Sequence, residues 1–140
     1  MTIVTRDISF PTKGKSQVVD ITHMIMEELE TCRIKNGIVT LFVPGSTASL
    51  TTIEYERGVV SDLKVAVERL IPEKIPYKHN LAWDDGNGHS HVRASFLGPS
   101  LSVPLVNGSL TLGTWQQIVF IDFDNRGRNR QVIIQVIGDE

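Results

Sequence analysis

Three short runs of β-branched and aliphatic residues constrain this chain most: GIVTLFV at 37–43, QIVFIDF at 117–123 and QVIIQVI at 131–137. They are too short for stable helices and rich in residues that suit a pleated, buried surface, so they read as core strands. Asp124-Asn125-Arg126-Gly127 lies between the last two and has turn composition. Residues 2–10, with Ile3, Ile8 and Phe10 in loose alternation, read as another strand. So do Ser16 to Ile21, after the polar turn Thr12-Lys13-Gly14-Lys15, and Ser49 to Tyr55, after the bend at Pro44-Gly45. Asn107-Gly108 between VPLV and LTL is a hairpin signal.

Helical spacing appears in two places. Ile25, Leu29 and Cys32 share a face, with Thr22 as the expected cap and Asn36-Gly37 as the expected stop. Val59, Val60, Leu63, Ala66, Val67, Leu70 and Ile71 form a second stripe, preceded by Gly58 and closed by Pro72. Residues 72–86 read as a long loop. The chain's 140 residues fit a single domain, an α+β arrangement with a mainly antiparallel sheet system and two or three packed helices.

Fourteen basic residues against sixteen acidic ones argue against a nonspecific nucleic-acid or membrane-surface binder. No apolar run approaches the roughly 20 residues of a membrane span. The opening MTIVTRDISF lacks the layout of a signal peptide, and the lone Cys32 cannot form a disulfide within the chain. A cytoplasmic location is therefore expected.

The chemistry concentrates in HNLAWDDGNGHSHVRASFLG, residues 79–98, which holds three of the four histidines. As a strand, 87–97 would put His89 and His91 on one face. As a helix it would pair Asn87 with His91 and turn His89 away. Gly98-Pro99 favours the helix, anchored by Val92, Phe96 and Leu97 and capped by Asp84 or Asp85. Asn87 and His91 would then lie at a helix start that favours an anion, with His79 folding back over it. Imidazole suits zinc, whereas aspartate and asparagine oxygens suit magnesium, so phosphate, a divalent metal or both fit the composition. Hydrogen-bonded structural histidines beside a solvated Asp84-Asp85-Gly86 turn and an exposed His89 fit it equally well. Glu54 and Glu56 share one strand face. Arg126, Arg128 and Arg130 near an anion site would suit diphosphate, or would simply charge a strand end. Trp115 reads as a core aromatic.

GSTASLTTIEYERGVVSDL, HNLAWDDGNGHSHVRASFLGPS, VPLVNGSLTLGTWQQIVFIDFD and RGRNRQVIIQVIG together resemble the YjbQ family, from about Val19 to Gly138. The resemblance implies a β-sandwich-like α+β fold and a homotrimer with sites near subunit boundaries. It also implies secondary thiamine-phosphate synthase activity. The family's polar constellation falls on His79, Asp85, Asn87, His91 and Glu54 as catalytic residues. Ser46, Thr47, Gln116, Arg128 and Arg130 fall at substrate-binding positions, for a small phosphorylated substrate. His79, His91 and Asp85 would hold a divalent metal, magnesium or zinc. Many members carry histidine where this chain has Gly45, so one potential ligand or base is missing. A non-catalytic trimer binding an anionic metabolite or metal, and a metal-dependent hydrolase, are the alternatives to a synthase.

Overall fold

Two of the three apolar runs share a sheet and the third does not. The computed structural model describes residues 1–140. Its elements are β1 (Thr2–Pro11), β2 (Gln17–Asp20), α1 (Thr22–Glu30), β3 (Asn36–Phe42), β4 (Ala48–Ile53) and α2 (Arg57–Leu70). These are followed by α3 (Lys78–Trp83), α4 (Gly88–Leu97), β5 (Ser100–Val106), β6 (Ser109–Leu110), β7 (Gln117–Asp122) and β8 (Asn129–Asp139). GIVTLFV lies in β3 and QVIIQVI in β8, both in a five-stranded sheet of order β1-β8-β3-β5-β6. QIVFIDF supplies β7, the centre of a three-stranded sheet β2-β7-β4. Every pairing is antiparallel.

The sheets pack face to face as a sandwich. Val39, Leu41, Val132, Ile134 and Val136 from one meet Ile118, Phe120 and Leu50 from the other, and Ile21, Ile25 and Leu29 close one side. Burying each such side chain is worth about 1.5–3 kcal/mol. Because β7 is central and covered on both sides, its alternate residues Val119 and Ile121, with Phe123 just beyond it, form a second core with Val67 of α2 and Ala94 of α4. The outer face of the five-stranded sheet carries no layer of this chain, so β3 is buried on one side only. Ile38 and Phe42 remain 53% and 43% exposed.

Several local expectations change. Helix α1 ends at Glu30, and Asn36-Gly37 instead open β3. Its cap position is Ile21, and the Asp20 carboxylate accepts the Thr22 N–H at 3.0 Å. Gly58 lies inside α2, whose cap is Glu56, accepting N–H bonds from Gly58 and Val59. The presumed loop 72–86 contains α3, six residues with too little apolar repetition to be seen in sequence. Trp115 is 72% exposed, not core. No helix is long and apolar enough to cross a membrane.

The direct crossings between sheets (β1 to β2, β3 to β4, β7 to β8) gather at one end of the sandwich. There Thr12 N–H donates to Arg128 O at 2.8 Å, Ser16 N–H to Asp122 O at 2.8 Å, and Phe123 N–H to Thr47 O at 2.9 Å. Polar residues far apart in sequence therefore meet at that end.

Candidate functional site

At this end the inward-facing row of each sheet turns from apolar to charged. Along β7, Ile118 and Phe120 are followed by Asp122, and then Asp124 just beyond the strand. On the opposing sheet, Val132 is preceded by Arg130 and Arg128. Both aspartate side chains are wholly buried. Arg130 donates from Nε to Asp122 Oδ2 at 2.7 Å and from Nη2 to Oδ1 at 2.8 Å, a two-point pairing. Its Nη2 also donates to Thr47 Oγ1 at 2.8 Å. Thr12 Oγ1 adds a bond to Asp122 at 2.6 Å.

Asp124 Oδ2 is the hub. Arg128 Nε donates to it at 2.7 Å, Thr47 Oγ1 at 3.0 Å and Asn87 Nδ2 at 3.2 Å. Burial alone would raise the Asp124 carboxyl, but the bonds from Arg128, Asn87 and Thr47 outweigh it and hold its pKa below the usual aspartate value. Neither aspartate figured among the expected site residues. The available signal was an acidic pair two apart ending an apolar strand, which must find cations when buried.

The 79–98 segment attaches to this hub. Helix α4 forms over Gly88–Leu97 as the Gly98 stop predicts. Its anchors differ from expectation: Ser90, Arg93 and Ala94 are buried while Phe96 is 77% exposed. Small and hydrogen-bonded residues let the helix lie close on the three-stranded sheet, with Ser90 Oγ bonded to Phe123 O at 2.5 Å and Ser49 Oγ donating to Ala94 O at 3.0 Å.

The structure brings His79 and His91 together, with ring centroids 4.5 Å apart. His79 Nε2 lies 3.0 Å from Asp85 Oδ2. That hydrogen bond lowers the Asp85 pKa, helped by the Asn87 N–H, against a smaller opposing effect of burial. Asn87 is drawn into the framework: it is 5% exposed, and its Oδ1 accepts from Ser90 Oγ and the Asn125 N–H. The start of α4 is not open to an anion as expected. Asp85 Oδ1 takes the Asn87 N–H at 3.1 Å and Asn80 Oδ1 takes the Gly88 N–H at 2.9 Å. Asp84, with φ 50°, ends α3 in the left-handed region.

The remaining positions divide. Ser46 is exposed beside Gly45, and both line a cavity of about 210 Å³ with Ala94 and Ser95. A Cβ added at Gly45 would lie 3.3 Å from Arg130 Nη1, so a side chain there would point toward the arginine. Glu54 and Gln116 lie at the other end of the β4–β7 pair, where Ile53 faces Gln117. Six residues of strand put them about 20 Å from Asp122, so one chain does not join them to the histidines. Gln116 instead bonds Thr52 Oγ1 at 3.0 Å, beside a cavity of about 350 Å³.

No three histidine, cysteine, aspartate or glutamate side chains are grouped to hold a metal ion. Of the three expected metal ligands, His79 Nε2 is bonded to Asp85 Oδ2 at 3.0 Å within the chain. The residue that sequence reasoning turned away, His89, is 3% exposed and lines a separate polar cavity.

Similar proteins match almost the whole chain. The family model for UPF0047 protein YjbQ-like matches residues 6–139. The chain is 38% identical to a UPF0047 protein of Methanothermobacter thermautotrophicus, covering 99% of this chain and 94% of that one. It is 31% identical to the UPF0047 protein YugU of Bacillus subtilis, covering 95% and 98%. Its fold matches a YbjQ-like protein of unknown function from Sulfolobus solfataricus with a TM-score of 0.89, 31% identity and coverage of 99% and 100%. A hypothetical protein from Aeropyrum pernix matches at 0.86 and 34% identity, covering 96% and 99%. With the match extending from β1 to the end of β8, the chain belongs to the UPF0047, YjbQ-like family.

Proposed function

We propose that this chain is a secondary thiamine-phosphate synthase, joining a hydroxymethylpyrimidine diphosphate to a thiazole phosphate. The observation that carries it is the convergence of the His79–His91–Asp85 group with Arg128 through the Asn87–Asp124 bond. In the reaction the thiazole nitrogen attacks the pyrimidine methylene carbon. A C–N bond forms, the C–O bond to diphosphate breaks, and the electron pair leaves with diphosphate. The nitrogen carries no proton, so no strong base is required. What the site must supply is stabilisation of the departing negative charge.

Arg128 suits that role. Its Nε is bound to Asp124, which fixes the side chain, while Nη1 and Nη2 make no bond within the chain. Arg130 is committed to Asp122 and positions Thr47. His79 and His91 are placed to hydrogen-bond phosphate oxygens, and Asp85 orients His79. The cavity beside Ser46 and Ser95, about 210 Å³, is smaller than the roughly 300–1,000 Å³ of most small-molecule sites. Two phosphorylated substrates need more wall, which a neighbouring copy in a homotrimer would provide. The exposed Ile38, Phe42 and Ile137 are apolar surface for such packing.

Purified protein given both substrates and magnesium should form thiamine phosphate. Arg128→Gln and His91→Ala should each reduce the rate about 100-fold or more. Equal rates in wild type and both variants refute the assignment, and a monomer by light scattering refutes the shared site. The unbonded Nη1 and Nη2 of Arg128 serve equally one second reading, a non-catalytic binder of a small anion. It predicts saturable binding of the phosphorylated substrates without turnover.

A further inference from the structure

Arg130 keeps one nitrogen free. Its Nε and Nη2 are committed to Asp122 and Thr47, but Nη1 makes no bond within the chain. The side chain as a whole is 10% exposed. His89 Nδ1 is the one partnerless side-chain nitrogen or oxygen that is also sealed from solvent, so Arg130 Nη1 is open to it. The other bonds fix the guanidinium plane, and Nη1 therefore presents two N–H donors in a preset direction.

Gly45 leaves that nitrogen uncovered. A Cβ there would lie 3.3 Å from Arg130 Nη1 and 3.7 Å from Val43 Cγ1. Gly45 also lines the cavity of about 210 Å³, whose other walls are Ser46, Ala48, Ala94, Ser95 and Pro99. All six are small, and none carries a charge. The space beside the arginine exists because these side chains are short, so a larger residue at position 45 would fill it. The Ser46 N–H, at the same wall, is not used in any main-chain bond.

Arg128 stands next to Arg130. Arg128 Nε and Arg130 Nη2 lie 2.7 and 3.9 Å from the same oxygen, Asp124 Oδ2. Both aspartates are wholly buried, whereas the unbonded arginine nitrogens reach solvent. An anion at the surface is thus nearer the cations than the carboxylates, and the paired arginines still attract it. Arg126, in the same turn, is exposed, and three arginines over two aspartates leave residues 122–130 with a surplus positive charge. Magnesium, which pairs with substrate phosphates, offsets part of the charge of a more highly charged ligand. A single phosphate can use the free nitrogens of one arginine, while two linked phosphoryl groups can use both.

We propose that Gly45 is a specificity-determining residue of the phosphate site. By leaving Arg130 Nη1 uncovered, it lets a diphosphate span the two arginines, with one phosphoryl group on Arg128 and the other on Arg130. This rests on the phosphate role given to Arg128 above.

Inorganic pyrophosphate and inorganic phosphate are the probes, titrated by calorimetry into the full chain at one magnesium concentration. Pyrophosphate should bind about tenfold or more tightly than phosphate. Gly45→Val should bring the two affinities within about twofold of each other by weakening pyrophosphate alone, and Gly45→Ala should remove part of the preference. Gly45 lies outside the left-handed region, so neither side chain is strained by the backbone there. NMR of the arginine guanidinium nitrogens should show the Arg130 signal moving with pyrophosphate and not with phosphate. Arg128→Gln should weaken both anions. No preference for pyrophosphate in the wild type, a preference retained in Gly45→Val, or an unmoved Arg130 signal each overturns the proposal. So does an equal loss of both anions in Gly45→Val. Indifference of both anions to Arg128→Gln refutes the phosphate role of Arg128 and this proposal with it. None of these affinities requires turnover, so failure of the synthase reading is seen separately, as an absence of thiamine phosphate.

Discussion

Replacing Arg130 by methionine should cost about 3–5 kcal/mol of folding stability, as expected when one member of a buried ion pair is removed. The structure shows where that loss arises. Arg130 makes two bonds to Asp122, at 2.7 and 2.8 Å, and one to Thr47 at 2.8 Å. The Asp122 side chain is 0% exposed and Arg130 is 10% exposed, so water cannot readily replace the guanidinium. Asp122 would keep only Thr12 Oγ1 at 2.6 Å and the Asp124 N–H at 3.0 Å. Each lost bond to a charged group is worth about 1.5–3 kcal/mol, partly offset by the apolar methionine. Domains of this size lose roughly 3–4 °C of Tm per kcal/mol, so Tm should fall by about 9–20 °C. Calorimetry and urea unfolding at pH 7 measure this. Adding Asp122→Asn removes the orphaned charge and should recover at least about 1.5 kcal/mol relative to additivity. A Tm drop under about 3 °C, or strict additivity in the double variant, would refute the view that this pair holds the two sheets together.

Stability should also fall in acid in two steps. The His89 pKa is lowered on folding, so below its unfolded value near 6.5 the unfolded chain binds more protons and stability declines as pH falls. Asp124 is lowered as well; its contribution is present above the unfolded aspartate value of about 3.9 and is lost as pH falls through the folded value. Urea midpoints from pH 8 to 3 should show both steps, and His89→Gln should flatten the first alone; an unchanged first step assigns it elsewhere. Gly88→Ala would place a Cβ 2.5 Å from Tyr77 Cβ at the start of α4, which should cost about 1–3 kcal/mol by urea unfolding. An unchanged midpoint would show that Tyr77 yields freely.

Much of the candidate site was legible because its chemistry is crowded into one segment. His79, Asp85, Asn87 and His91 fall within 13 positions of each other, and a helix stop at Gly98 suffices to orient the last two. The roles inside that segment were less legible. Asn87 and His91 both lie where an anion was expected, yet Asn87 is consumed by Asp124, Ser90 and Asn125. His89 was expected in solvent and is buried, because the two cavities lie on different faces of one helix and sequence spacing does not say which face a sheet covers. Glu54 and Gln116 were grouped with the histidines, but antiparallel pairing of β4 with β7 carries both to the far end.

Local pattern alone determined the strands, the turn at Asn107-Gly108, the two principal helices and the mixture of histidine, aspartate and arginine that a phosphate site would need, since each depends on neighbours within a few residues. Tertiary structure decided which strands share a sheet. QIVFIDF and QVIIQVI look alike, yet the first is covered on both faces and the second on one, because burial depends on what packs above the strand and not on its own residues. It also decided that Asp122 and Asp124 meet Arg130 and Arg128 across the sandwich. Those contacts form only when the chain crosses from one sheet to the other, and no periodicity within either strand records that crossing.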